Sequence, residues 1–234
     1  MLNCICRGAL AVVVVAICAV ADATTANAQK TFAGTITYDV SLSDKQMQIS
    51  ISSRDKLVRQ DFELPADAPP EAQTYQIFDY GNGNITTVLP GMKKYMVTNL
   101  KTLRDVMGQN GDARDDEVRK TIDDIKSTKR RETIAGYTCE VFTLKSTPRD
   151  EWCLTTGLGH FLYFEGATAV GGDASTASLM RTFKDGAVVL RMRMMSRNGE
   201  TVSMVATKVD RTIPPASLFV LPSSFEETNP FKAP

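Results

Sequence analysis

The sequence predicts an α+β domain built on an antiparallel sheet, and three observations carry that prediction. Segment after segment alternates apolar with polar residues at a period of two, as strands with one dry face do. Hairpin turn chemistry separates neighbouring segments, at Gly81-Asn82-Gly83-Asn84 and at Asn198-Gly199. The alternation lapses between Asn99 and Arg131, where apolar residues fall at helical spacing instead.

The first strands follow one another closely. In 31–40, Phe32, Ile36, Tyr38 and Val40 share a face with Gly34, against Thr31, Thr35, Thr37 and Asp39. Residues 45–52 set Met47, Ile49 and Ile51 against Gln46, Gln48, Ser50 and Ser52. A third, more charged strand covers 57–64, and three prolines make 65–73 a loop. Strands at 75–80 and 85–89 flank the glycine-asparagine turn, and 93–98 follows a turn at Pro90-Gly91.

Leu100, Leu103, Val106 and Met107 then line a helix that Gly108 stops. Asp112 is the expected N-cap of a second helix, with Val118, Ile122 and Ile125 on one face. Its acidic start and basic end, Lys126, Lys129, Arg130 and Arg131, match the helix dipole. Past the central strands, 157–170 is apolar and broken by glycine, and no element is assigned to it. A loop with a short helix at 176–183 follows. Residues 187–196 alternate again, with Val188, Leu190, Met192 and Met194 against Arg191 and Arg193. Residues 201–212 return with Val202, Met204 and Ala206 on one face, and Pro214-Pro215 ends them. Residues 217–222 are expected to pack their two large apolar side chains under the sheet.

The stretch 132–159 is the most informative. Residues 137–144 and 152–156 read as strands joined by the turn chemistry of Ser146-Thr147-Pro148-Arg149-Asp150. Cys139 and Cys153 lie on these neighbouring strands and read as a disulfide; the alternative is two buried thiols. Direct pairing of the two would centre the hairpin on Ser146, whereas the turn signal sits at Pro148. A bulge or wide loop is expected to absorb the difference.

Residues 1–28 read as a secretory signal peptide. Arg7 is the basic head, 9–20 are continuously apolar, and Ala26-Asn27-Ala28 is a small-x-small cleavage site. The run is shorter than the ~20 residues a membrane span needs. Ile17 before Cys18 argues against lipid anchoring there. Cys4, Cys6 and Cys18 leave with the leader, so Cys139 and Cys153 remain in an oxidising compartment. The remaining residues, 29–234, make one domain large enough for a sizeable core. Twenty-seven basic residues balance 27 acidic ones, which argues against a nucleic-acid binder.

Little in the residues points to catalysis, a cofactor or a metal. His160 is the one histidine, and beside Phe161 and Tyr163 it reads as structural. Nothing matches a nucleophile elbow. The acidic run 112–117 lacks the alternation and glycine of a calcium loop. Gly157-Leu158-Gly159 lacks the third glycine of a dinucleotide loop. Met192, Met194 and Met204 fall on dry faces, where flexible thioethers suit a variable apolar ligand as well as ordinary core filling. Copper(I) at Met192, Met194 and Met195 is disfavoured, because alternation puts Met195 on the other face.

Four pieces, in order, resemble a family of secreted bacterial proteins catalogued as domain of unknown function 4412. They are Phe32-x-Gly34-x-Ile36-x-Tyr38, Ile134-Ala135-Gly136-Tyr137-x-Cys139, Trp152 with the step Gly157-Leu158-Gly159, and Ser217-Leu218-Phe219 with Pro222. Residues 170–180 look longer than the family pattern. The resemblance implies the lipoprotein-carrier, LolA-like class: a strongly curved antiparallel sheet, an open half-barrel, with two or three helices packed on its concave face. It brings no catalytic residues.

The expected function is a non-enzymatic periplasmic or secreted binder of a lipid, acyl chain or other apolar ligand. The expected wall is Phe32, Ile36, Tyr38, Met47, Ile49, Met192, Met194 and Met204, with no cofactor and no metal. The alternatives are an envelope protein–protein interaction module without a small ligand and, third, an enzyme.

Overall fold

The structure is a computed structural model that describes residues 31–42, 45–64, 68–69, 72–106, 123–164, 176, 179–180, 182–183, 185–195 and 199–228. The leader read at 1–28 and the first half of the second expected helix lie outside these residues.

Twelve strands form one open sheet. In chain order they are β1 (Gly34–Leu42), β2 (Lys45–Arg54), β3 (Leu57–Glu63), β4 (Tyr75–Asp79), β5 (Asn84–Leu89), β6 (Lys94–Asn99), β7 (Ile125–Ile134), β8 (Tyr137–Leu144), β9 (Glu151–Thr156), β10 (Ala187–Met195), β11 (Thr201–Asp210) and β12 (Glu226–Glu227). Their order across the sheet is β12-β6-β5-β4-β3-β2-β1-β11-β10-β9-β8-β7. All pairs are antiparallel except β12 on β6. The meander β1–β6 and the meander β7–β11 are joined by β1 against β11 inside the sheet.

The sheet rolls sharply on the β7 side. Cα atoms of β7 and β11 come within 8 Å although three strands lie between them. Four flat strand spacings would separate them by about 19 Å.

The helical part of the expectation is corrected. The structure is nearly all sheet, and two or three helices packed on a concave face are not what it shows. Among the described residues helix is limited to α1 (Leu100–Val106) and to fragments such as Leu179–Met180. Asn99 caps α1 by accepting from the amides of Lys101 and Thr102, and Leu100 anchors it in the core. The second helix was expected to run through Ile125 to a basic end. Those residues instead form β7, with Lys126, Thr128 and the three cations 129–131 exposed. The cause is local chemistry plus a partner. Thr128, Thr133 and Ile134 favour strand, and Ala135 and Gly136, both at positive φ, make the two-residue turn that lays β7 against β8.

Register defines two faces. The inner face carries Ile36, Tyr38 and Val40 of β1 with their cross-strand partners Ile51, Ile49 and Met47. It holds the main core, to which Phe161, Phe164, Leu179 and Met180, all buried, belong. The outer face of β4–β6 holds a second, small core of Tyr75, Ile77 and Val88. The C-terminal segment crosses that face as a strap. Arg54 and Arg59 donate to the carbonyls of Pro214 and Leu218, Leu221 and Phe225 cover the small core, and β12 docks on the edge of β6. Phe219 is buried, as expected for this segment.

Candidate functional site

The inner face presents a continuous cross-strand ladder. Met47 stands opposite Val40, Val40 opposite Met204, Met204 opposite Met192, Met192 opposite Trp152, and Trp152 opposite Phe142. Apolar side chains on one face at this spacing touch their neighbours and form a single surface. Exposure is uneven along it, with the buried Met204 between the half-buried Val40 and Met192. Met47 is 44% exposed, Val40 and Met192 are half-buried, and Met204 and Trp152 are buried. The next row outward joins Leu42 to Val202 and Val202 to Met194, and Leu42 is 47% exposed.

The row on the other side is sealed. Phe32, Ile36 and Tyr38 have no exposed surface, and Ile49 is 4% exposed. Phe32 meets the ring of Phe161 edge-on at 5.3 Å. Of the eight residues expected to form an apolar wall, four are thus floor under the chain's own aromatics. Met47, Met192 and Met194 reach the accessible rim, with Met204 between. The rim also contains Leu42, Val40 and Val202. Leu42 and Val202 carry a signal the sequence offers, since they share parity with Val40 and Met204.

The chemistry of this floor is that of a wall. The Tyr38 hydroxyl donates to the carbonyl of Val189 at 2.8 Å, reaching across β11. Burial pushes its pKa well above the ordinary range, and the Tyr163 phenol adds to the effect. Burial alone pushes Tyr163 up to about 12. Both phenols stay protonated at neutral pH, and that of Tyr38 acts as a donor, not a base. Trp152 Nε1 donates to Thr176 Oγ1 at 3.0 Å, and that hydroxyl lies 3.7 Å from Met192 Sδ. His160 is buried, and its carbonyl accepts from the amide of Phe32. Among the described residues no group of three or more His, Cys, Asp or Glu is placed to hold a metal ion. Nor is any described helix long and apolar enough to cross a membrane.

Behind the ladder, on the outer face, Cys139 and Cys153 form the disulfide, with Cα atoms 5.3 Å apart. Val141, not Cys139, stands opposite Cys153, so the bridge is diagonal. This register centres the hairpin on Thr147, next to Pro148, and removes the expected conflict without a bulge in that hairpin. Four side chains roof the sulfurs, which are buried. Arg191 grips Glu132 with Nε at 3.1 Å and an amino nitrogen at 2.8 Å, and reaches Glu151 at 3.1 Å. Arg130 closes the ring on Glu151 at 2.7 Å and on Glu132 at 3.2 Å. Burial pushes the Glu151 carboxyl up, but the hydrogen bonds and charges of Arg130 and Arg191 outweigh it and hold it below its ordinary range. This ring was not foreseen. Glu132 and Arg191 are 59 positions apart, and only the sheet order brings them together.

Two clefts open beside the rim. One of ≈ 500 Å³ lies along the ends of β1, β2 and β3 and includes Val40 and Met47 of the ladder. A second, of ≈ 460 Å³, adjoins it and shares Glu63 and Leu64.

Comparison with solved structures finds chains that are similar at low identity. One similar solved structure is MucB in complex with MucA(peri), at 11% identity and a TM-score of 0.42, covering 85% of this chain and 57% of that one. The MucA/MucB complex of Pseudomonas aeruginosa gives 12% and 0.41, covering 82% and 56%. A LolA superfamily protein of Nitrosomonas europaea gives 10% and 0.32, covering 82% of this chain and 91% of that one. The chain therefore spans a little over half the length of the first two. No curated protein matches. The model of one family, Domain of unknown function (DUF4412), matches residues 32–225, and the chain belongs to that family.

Proposed function

We propose that this chain is a non-enzymatic binding protein of the bacterial envelope, exported by the leader at 1–28, that takes an acyl chain or similar apolar ligand at the rim of its rolled sheet. One observation carries the reading: the ladder runs without interruption from the exposed Met47 to the buried Trp152. A chain laid along it meets thioethers, which adapt their shape to what they touch. Each methylene removed from water contributes about 0.8 kcal/mol before the costs of association. Met47, Met192 and Met194 would make the contacts, and Phe32, Ile36, Tyr38, Ile49 and Met204 would hold the floor rigid.

The test is titration with a fluorescent fatty acid, together with solvent extraction of protein purified from its own host. Saturable binding that Met47→Asp weakens at least tenfold, with an unchanged melting temperature, supports the reading. An absence of saturable binding and of any extracted apolar molecule ends it.

A second reading has its own observation. The deep row is already filled by Phe161, Phe164, Leu179 and Met180, as in a module that docks a protein partner and holds no ligand. A reproducible partner whose footprint covers Leu42 and Met47, with no small molecule bound, would favour it.

A further inference from the structure

We infer that the ligand taken at this rim carries an uncharged carbonyl at the head of its chain, an ester or an amide, and that a glutamine row on the inner face reads it; the inference rests on the binding role proposed above and names the ligand's polar part. The pairings place the row. Gln60 stands opposite Ile51, and Ile51 opposite Ile36 of the inner floor. On its other side Gln60 stands opposite Gln76, and Gln76 opposite Thr87. Three polar side chains therefore extend an apolar row across β3, β4 and β5, on the face that carries the ladder.

Gln60 is 7% exposed, and its side-chain amide hydrogen-bonds to no described residue. Gln76, half-buried, makes one long bond, 3.4 Å from Nε2 to Thr87 Oγ1. One row further along the same face, Ser53 Oγ is buried and has no hydrogen-bond partner. Polar groups so deep are normally paired inside the protein, and leaving one unpaired destabilises the fold. An amide that holds nothing in the chain is accounted for by a partner from outside it. Its N–H donors suit a carbonyl, and its own oxygen suits an amide N–H. The ladder lies close enough to share one molecule with the row. Phe62 and Leu64 follow Gln60 on the same face, and Leu64 borders a cleft with Val40 and Met47. Gln60 lies one strand over and four residues along from Met47, about 14 Å on flat-sheet spacings. A chain laid on Met47, Met192 and Met194 therefore places its carbonyl at Gln60 and Gln76. No charged side chain belongs to the row. One cation competes: Lys94, half-buried, stands opposite Leu89, one row from Thr87, in no ion pair among the described residues.

The experiment compares monodecanoylglycerol, the decyl ether of glycerol and decanoate, each below its micelle concentration, by calorimetry on the full chain. The ester and the ether differ only in the carbonyl. One neutral hydrogen bond is expected to favour the ester by about fivefold. The variant Gln60→Leu with Gln76→Leu should bring the ester down to the ether's affinity. Unchanged ether binding in that variant shows that its fold and apolar track are intact. Gln60→Leu alone, rid of an unpaired amide, should melt about 2 °C above the wild type without ligand. Ester and ether binding equally overturns the inference and leaves the binding role standing, with Gln60 then holding a buried water. An ester preference that survives the double variant overturns it, and so does a lower melting point for Gln60→Leu, which makes the amide part of the fold. Decanoate binding as tight as the ester's, with loss on Lys94→Gln, overturns it in favour of an anionic head. If none of the three binds, the binding role fails, and this inference with it.

Discussion

Replacing Arg191 with methionine tests whether the outer ionic ring stabilises this sheet. The methionine keeps an apolar stem over the disulfide, so the change removes charge and hydrogen bonds with little loss of cover. Three charge-assisted contacts disappear, two to Glu132 and one to Glu151. The Arg191 side chain is 17% exposed and its partners 32% and 21%, so solvent screens part of the interaction. Arg130 still faces both glutamates, so neither carboxylate is left without a cation. On those terms the loss is about 2 kcal/mol, below that of a fully buried pair. For a domain of this size that lowers the melting temperature by about 4–8 °C at pH 7. The pH dependence fixes the mechanism. Glu151 is held below its ordinary 4.5 when folded, so its contribution is complete above that value and fades as pH falls through the lower folded one. The gap between wild type and variant should therefore close between pH 7 and a strongly acidic pH at which Glu151 is protonated even when folded. Circular-dichroism melts at both pH values decide it. A gap that is absent at pH 7, or undiminished in acid, refutes an electrostatic role for the ring.

Three further outcomes are expected. Replacing Cys139 and Cys153 together by alanine should cost about 3 kcal/mol in urea denaturation, and reductant should lower the wild type towards the double variant. Gly186→Ala should cost about 2 kcal/mol or more, because φ is +80° and its new Cβ would lie 2.5 Å from the amide nitrogen of His160. Gly136→Ala, at φ +83° with nothing within 4 Å, should cost about 1 kcal/mol, so the difference between the two melts isolates the steric contact. Deleting residues 213–234 should uncover Tyr75, Ile77 and Val88 and raise binding of an apolar dye. Losing Leu221 and Phe225 from that face should cost about 4 kcal/mol.

The strands were legible where one face is dry, and so was the first helix, whose Leu100, Leu103 and Val106 fall in α1; the end of the second was not. Val118, Ile122 and Ile125 do fall at helical spacing, and a basic end does suit a helix dipole. Val118 and Ile122 lie outside the described residues, residues 123–124 are helical, and this spacing could not place the helix end ahead of a strand that begins at Ile125 and whose dry face is set by a partner. Here that partner is β8, brought into place by Ala135-Gly136, whose turn chemistry went unread inside a family motif. The strand β12 left no pattern at all. Its two glutamates are fixed by a parallel pairing with Lys94 and Tyr95 more than 130 positions earlier. Parity placed Met192, Met194 and Met204 on dry faces, but it could not say which row each occupies. That depends on register. Register seals Tyr38 and Ile49 in one row and leaves Met47 open in the next.

The same register explains why the accessible apolar surface is concentrated in one place. Met92, Val97, Met195, Ile213 and Val220 are also exposed, but they sit on separate elements, and scattered apolar residues are normal on any protein surface. Leu42 and Met47 differ, because the pairings join them to Val40, Val202, Met194 and Met192 as one patch. Elsewhere the sheet closes its own apolar surface. The strap and Arg59 cover the outer face of β3–β6, the ring of Arg130 and Arg191 covers the disulfide, and Phe161 and Phe164 fill the inner floor. A chain that covers three such surfaces leaves a fourth, the apolar track that begins at the exposed Leu42 and Met47, open at the rim on the face that carries its only tryptophan. Occupation of that track should therefore be visible as a change in Trp152 fluorescence, which makes the binding role measurable without a labelled ligand.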